Sequence, residues 1–124
     1  MAANKLEVFG PIALTNTLTT NIIAAAAAGA SAVGYVATAT YIILRHIRIL
    51  NKTGGAGTFS LWKGATGANV AGTEFMGTAQ NVPANSYVDW YGALRLEGVN
   101  GFLVGGASAL TTLTIQAEGE LGLV

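Results

Sequence analysis

Ala37-Thr-Ala-Thr-Tyr-Ile-Ile-Leu-Arg-His-Ile-Arg-Ile-Leu50 is the stretch that decides the fold class. It is dense in β-branched residues and alternates apolar with polar side chains at both ends, the period of a pleated strand rather than a helix. The phase changes at Ile42-Ile43-Leu44, where three apolar residues follow one another. A β-bulge or burial on both faces accounts for the change. On an unbroken pleat, His46 and Arg48 share one face and Arg45 takes the other.

Working outward, Asn51-Lys-Thr-Gly-Gly-Ala-Gly57 has turn composition, and residues 58–63 return as an apparent hairpin partner. In that partner strand Phe59 and Leu61 lie on one face, Ser60 and Trp62 on the other. Further strands are expected at 5–9, ended by Gly10-Pro11, and at 17–23, 73–76, 87–91 with 94–96, 102–104 and 110–118. The last alternates cleanly, with Leu113, Ile115 and Ala117 opposite Thr112, Thr114, Gln116 and Glu118. That pattern predicts an antiparallel strand with one wet face. The 17 glycines recur between these short runs. The expectation is an all-β, single-domain antiparallel β-sandwich, jelly-roll-like, with an irregular or short-helical N-terminal segment. Residues 1–34 read as an arm or strand with an Ala-rich connector, and 35–124 as the sandwich core. For the segment 23–33, which holds the alanine run 24–28, a short helix packed on the sheet and an extended arm fit equally well.

Composition limits the function. Six basic residues balance six acidic ones, and only 10% of the chain is charged, against roughly 25% in an average soluble domain. So little charge repulsion favours association. Neutrality argues against binding to nucleic acid, which needs a basic patch, and the cluster Arg45, Arg48 and Lys52 is short and carries no aromatic platform. Although residues 8–44 carry no charge, their Ala, Gly, Ser and Thr content and the single basic residue before them, Lys5, weigh against a membrane span, and Glu7 and Pro11 against a signal peptide.

No chemistry is evident. With no cysteine and one histidine, a metal site within one subunit is not expected, although a trimer axis would gather three copies of His46. The glycine runs at 54–57 and 64–67 lack the Gly-Lys-Ser/Thr and following helix of a phosphate loop, and read as turns. His46 reads as a half-buried strand residue bonded to a neighbouring strand or subunit rather than as a catalytic base. Glu118 and Glu120 share a strand face and read as a solvated edge, and the acids are expected to pair with Arg45, Arg48 or Arg95. No enzyme, catalytic residue, cofactor or metal is expected. The aromatics Trp62, Tyr87, Trp90 and Tyr91 fit a core, an interface or a sugar platform.

Five segments carry a resemblance: Tyr41-Ile-Ile-Leu-Arg-His-Ile-Arg-Ile-Leu-Asn-Lys-Thr53, Thr58-Phe-Ser-Leu-Trp62, Gly64-Ala-Thr-Gly67, Pro83-Ala-Asn-Ser-Tyr-Val-Asp-Trp-Tyr91 and Leu113-Thr-Ile-Gln-Ala-Glu-Gly119. Across residues 35–120 their pattern resembles small β-sandwich virion proteins of tailed bacteriophages. The resemblance implies a capsid decoration, or cement, protein that forms a homo-oligomer, commonly a trimer, on the major capsid protein, with an N-terminal arm to hold the shell. It implies a location in the virion after synthesis in the host cytoplasm, with no nucleic-acid or membrane partner. Expected interface residues are Trp62, Tyr87, Trp90 and the run Ala24, Ala25, Ala26, Ala27 and Ala28. The rival expectation is a tail or head-fibre component that binds a receptor or glycan.

Overall fold

The computed structural model describes residues 4–25, 34–36, 39–64, 73–97, 101–109 and 112–123. These contain nine strands: β1 (Asn4–Ala13), β2 (Asn21–Ala25), β3 (Gly34–Val36), β4 (Ala39–Asn51), β5 (Gly57–Gly64), β6 (Glu74–Val82), β7 (Ser86–Glu97), β8 (Phe102–Ala107) and β9 (Leu113–Leu123). The first sheet has the order β1-β9-β4-β7 and the second β3-β2-β8-β5-β6. All pairings are antiparallel except the short parallel pair of β2 with β3.

The order is that of a jelly roll. β1 pairs with β9, β2 with β8, β4 with β7 and β5 with β6, as when one long hairpin is folded over and rolled. Rolling adds the contacts of β9 with β4 and β8 with β5. β1 and β2 are thus built into the sheets, and the sandwich extends to the N-terminal side of the boundary expected at residue 35. Ala24 and Ala25 belong to β2, while Ala26, Ala27 and Ala28, and with them the helix-or-arm alternative, lie outside the described residues.

One sequence expectation is overturned. β4 and β5 do not form a hairpin, because they lie in different sheets. Both sides of β4 are already taken by β9 and β7, and both sides of β5 by β8 and β6. The 51–57 turn therefore carries the chain across the core. Its apolar alternation brings Ile42, Leu44, Ile47 and Ile49 to face Phe59 and Leu61 in one buried cluster instead of aligning two backbones.

That cluster lies between the sheets and includes Phe9, Leu14, Ile22, Ile23, Leu96, Leu103, Leu113, Ile115 and Leu121. A second cluster, Ala24, Phe102 and Val104, is also fully buried. Asn51 is the buried polar hinge of the 51–57 turn: its Nδ2 donates to Gly55 O (2.9 Å) and Val82 O (3.0 Å), and its Oδ1 accepts from Thr53 N (2.9 Å) and Thr53 Oγ1 (2.7 Å). Gly119 allows a close backbone approach in the first sheet, since a Cβ there would run into the Ile43 carbonyl oxygen.

Candidate functional site

A bulge in β4 builds the most organised polar surface among the described residues. Register shifts between Leu44 and His46 against both neighbours. Before the bulge Ile42 and Leu44 point inward; after it Ile47 and Ile49 do. Arg45 and His46 consequently both face outward, which corrects the expectation that Arg45 lies opposite His46. This is the change of phase seen in the sequence.

Across the outer face the side chains stand in rows set by register. Glu118, His46 and Tyr91 form one row, and Gln116, Arg48 and Asp89 the next. Asp89 is the hub. Arg48 Nε donates to its Oδ1 at 2.7 Å and Nη2 to its Oδ2 at 3.0 Å, while His46 Nε2 lies 2.9 Å from Oδ1. The Arg48 guanidinium, with a lesser contribution from His46, outweighs the partial desolvation and holds the Asp89 carboxyl down at about 2. Asp89 in turn raises the pKa of Arg48. His46 Nδ1 is 3.5 Å from Glu118 Oε1, and its ring stacks on Tyr91 with centroids 4.6 Å apart and planes at 11°.

The remaining charges on this face are paired too. Arg45 binds Glu120, Arg95 binds Glu97, Arg48 lies over the Tyr87 ring at 4.3 Å, and Arg95 over Tyr41 at 4.2 Å. A shallow depression of about 180 Å³ is lined by His46, Arg48, Gln116, Ala117 and Glu118. Asp89, Glu97 and Glu120 are neutralised by guanidinium groups and Glu118 lies against the His46 ring, so the arrangement can hold polar groups and stack rings. It presents paired charges rather than the basic patch that phosphate needs.

The expected interface residues do not form one patch. Tyr87 is on this outer face and 51% exposed. Trp90 points the other way, packed against the core and edge-on to Phe75 at 4.9 Å. Trp62 has the predicted facing, away from Phe59 and Leu61, yet it is only 7% exposed, and Ala24 is fully buried. Neither offers a free surface on the single chain. Sequence reading grouped Tyr87, Trp90 and Tyr91 by proximity, although alternation along β7 separates Trp90 from the two tyrosines. The residues it missed were Asp89 and the full role of Tyr91, the most exposed large aromatic among the described residues at 70%. Their signal was the repeat Tyr87, Asp89, Tyr91 at every second position.

Glu118 and Glu120 are not on an edge, because β9 runs between β1 and β4. Glu120 makes the expected pairing with an arginine, Arg45, whereas Glu118 lies against His46 Nδ1 at 3.5 Å. Among the described residues no helix is long and apolar enough to cross a membrane, and no group of three or more His, Cys, Asp or Glu is placed to hold a metal ion. No protein-family model matches the chain, and no curated protein sequence is similar to it.

Proposed function

We propose that this chain is a structural assembly module, a decoration or cement protein of a phage head that self-associates and stabilises the shell by burying surface on it. The observation that carries the proposal is the outer face of the first sheet. It is broad, held in register by cross-strand rows, and internally neutralised, with Tyr87 and Tyr91 standing clear of it. Such a face loses little side-chain entropy on docking, and its charges already have partners. The charged fraction of 10% points the same way. Repetition by symmetry then converts modest contacts into firm attachment. The test is the solution mass of the purified protein together with its copy number on purified particles. A copy number proportional to that of the shell protein supports the proposal; a chain absent from particles overturns it.

A second reading, glycan or receptor binding at a fibre, draws on the exposed Tyr91 ring beside the 180 Å³ depression. Stacking of a sugar on that ring would be lost in Tyr91→Ala, whereas shell binding through a wider face would be only weakened. A glycan array probed with both proteins separates the two.

A further inference from the structure

Each sheet has two outer strands, β1 and β7 in the first, β3 and β6 in the second. An open strand edge invites further pairing unless it is blunted. Three of the four are. β3 has 3 residues. β6 is interrupted where residues 76–79 loop out opposite Ser60, with Met76 and Ala79 at positive φ. β1 breaks register between Phe9 and Ile12, and Pro11 there has no N–H to donate.

β7 is different. It runs for 12 residues, carries no proline and no lysine, and keeps its outer and inner side chains in period-two order although Gly92 and Ala93 both stand opposite Arg45 of β4. Tyr87, Asp89, Tyr91, Arg95 and Glu97 stay on the outer face, and Val88, Trp90, Leu94 and Leu96 on the core side. Among the described residues no strand pairs with its free edge.

We infer that β7 is the self-association edge, pairing antiparallel with β7 of a second copy about a two-fold axis at Gly92; this rests on the assembly reading above. The occupant and its register follow from charge and parity. An axis between two residues would set outer side chains against inner ones, so the axis must pass through a residue. Through Ala93 it would oppose Asp89 to Glu97 of the partner subunit, a like-charge pair. Through Tyr91 it would leave Asp89 facing only Ala93 of the partner subunit. Through Gly92 it sets Asp89 against Arg95 of the partner subunit, twice by symmetry, and Tyr91 against Ala93 of the partner subunit, whose methyl leaves room for the ring. Trp90 and Val88 then meet Leu94 of the partner subunit and Leu96 of the partner subunit on the core side.

The groups retain capacity for this. Asp89 Oδ2 accepts a hydrogen bond from Arg48 Nη2, and a carboxylate oxygen takes two. Arg95 uses Nε for Glu97, which leaves its terminal nitrogens available for a second carboxylate. His46 already covers one face of the Tyr91 ring, and pairing would cover the side toward the sheet edge. The two first sheets would merge into one continuous sheet, a self-complementary joint of the kind common in homodimers.

The experiment is native mass spectrometry and light scattering on the full chain, with cross-linking to read the register. Wild type is expected to show even-numbered oligomers that dissociate on dilution. Arg95→Glu is expected to weaken association at least about tenfold with circular dichroism unchanged, and Arg95→Lys to retain most of it. Ala93→Lys, which places a charge beside Tyr91 of the partner subunit, is a second test should Arg95→Glu unfold. Because the chain has no cysteine, Tyr91→Cys and Ala93→Cys proteins should form a disulfide-linked dimer when mixed and oxidised, and little when oxidised apart. A monomer at all concentrations, an oligomer indifferent to both charge variants, or cross-linking as efficient apart as mixed overturns the inference. Particles that still carry Arg95→Glu at full copy number, with its solution mass unchanged, would reject this edge and leave the shell reading standing.

Discussion

Arg48 grips Asp89 across the β4–β7 register with two hydrogen bonds of 2.7 and 3.0 Å, and the same carboxylate takes His46 at 2.9 Å. With its side chain 18% exposed, Asp89 stands between a surface ion pair, worth less than about 1 kcal/mol, and a buried one whose loss strands a charge. Asp89→Asn is expected to destabilise the fold by about 1–3 kcal/mol in thermal or urea unfolding. Glu97→Gln, which breaks the more exposed pair with Arg95, should change it by less than about 0.5 kcal/mol.

The same residue sets an acid limit. Its folded pKa of about 2 lies below the ordinary 3.8, so its stabilisation is complete above the ordinary value and disappears as pH falls toward the folded one. The melting-temperature gap between wild type and Asp89→Asn should stay constant near neutrality and close between pH 3.8 and about 2.

Asn51 is expected to be among the least replaceable polar residues. Asn51→Leu removes both donations and both acceptances at once, and leaves the Val82 carbonyl without its partner in a buried setting. The cost should be about 2–4 kcal/mol in chemical denaturation. Asn51→Asp should be nearly as costly, since a carboxylate cannot donate to the Gly55 and Val82 carbonyls.

Aromatic residues should separate by burial. Trp62→Ala is expected to cost about 3–5 kcal/mol, and Tyr91→Ala less than about 1.5 kcal/mol. Equal effects in parallel denaturant melts would contradict the facing assigned to both.

Gly119→Ala places a methyl against the Ile43 carbonyl oxygen within the centre of a sheet. Backbone must shift to admit it, and about 1–3 kcal/mol of stability should be lost on thermal unfolding.

Sheet membership was the least legible part of the sequence. Period-two alternation in Phe59, Leu61, Leu113, Ile115 and Ala117 placed each on the correct side of its strand, because burial acts on one residue at a time. Which strands pair is decided by the whole chain, and proximity of 37–50 to 58–63 suggested a hairpin that the roll of the sandwich forbids. The site was half legible. Arginine–carboxylate pairing followed from charge balance, but the row of Glu118, His46 and Tyr91 depends on a bulge whose position only the register reveals. Gly119 and Asn51 were invisible as determinants, since a close approach and a carbonyl to satisfy belong to neighbours distant in sequence.

β9 follows every other described strand along the chain and yet holds an inner position in its sheet, with Lys5 beside Leu121 on one flank and Ile42 beside Leu121 on the other. Until it emerges, β1 has no partner and β4 is exposed along one side. A nascent chain that has reached only β8 therefore carries open strand edges and an uncovered apolar face. Closure of the first sheet joins β1 to β9 from opposite ends of the described chain, and topologies dominated by such distant pairings fold slowly. The interval between synthesis and closure is when unwanted partners compete with the intended ones.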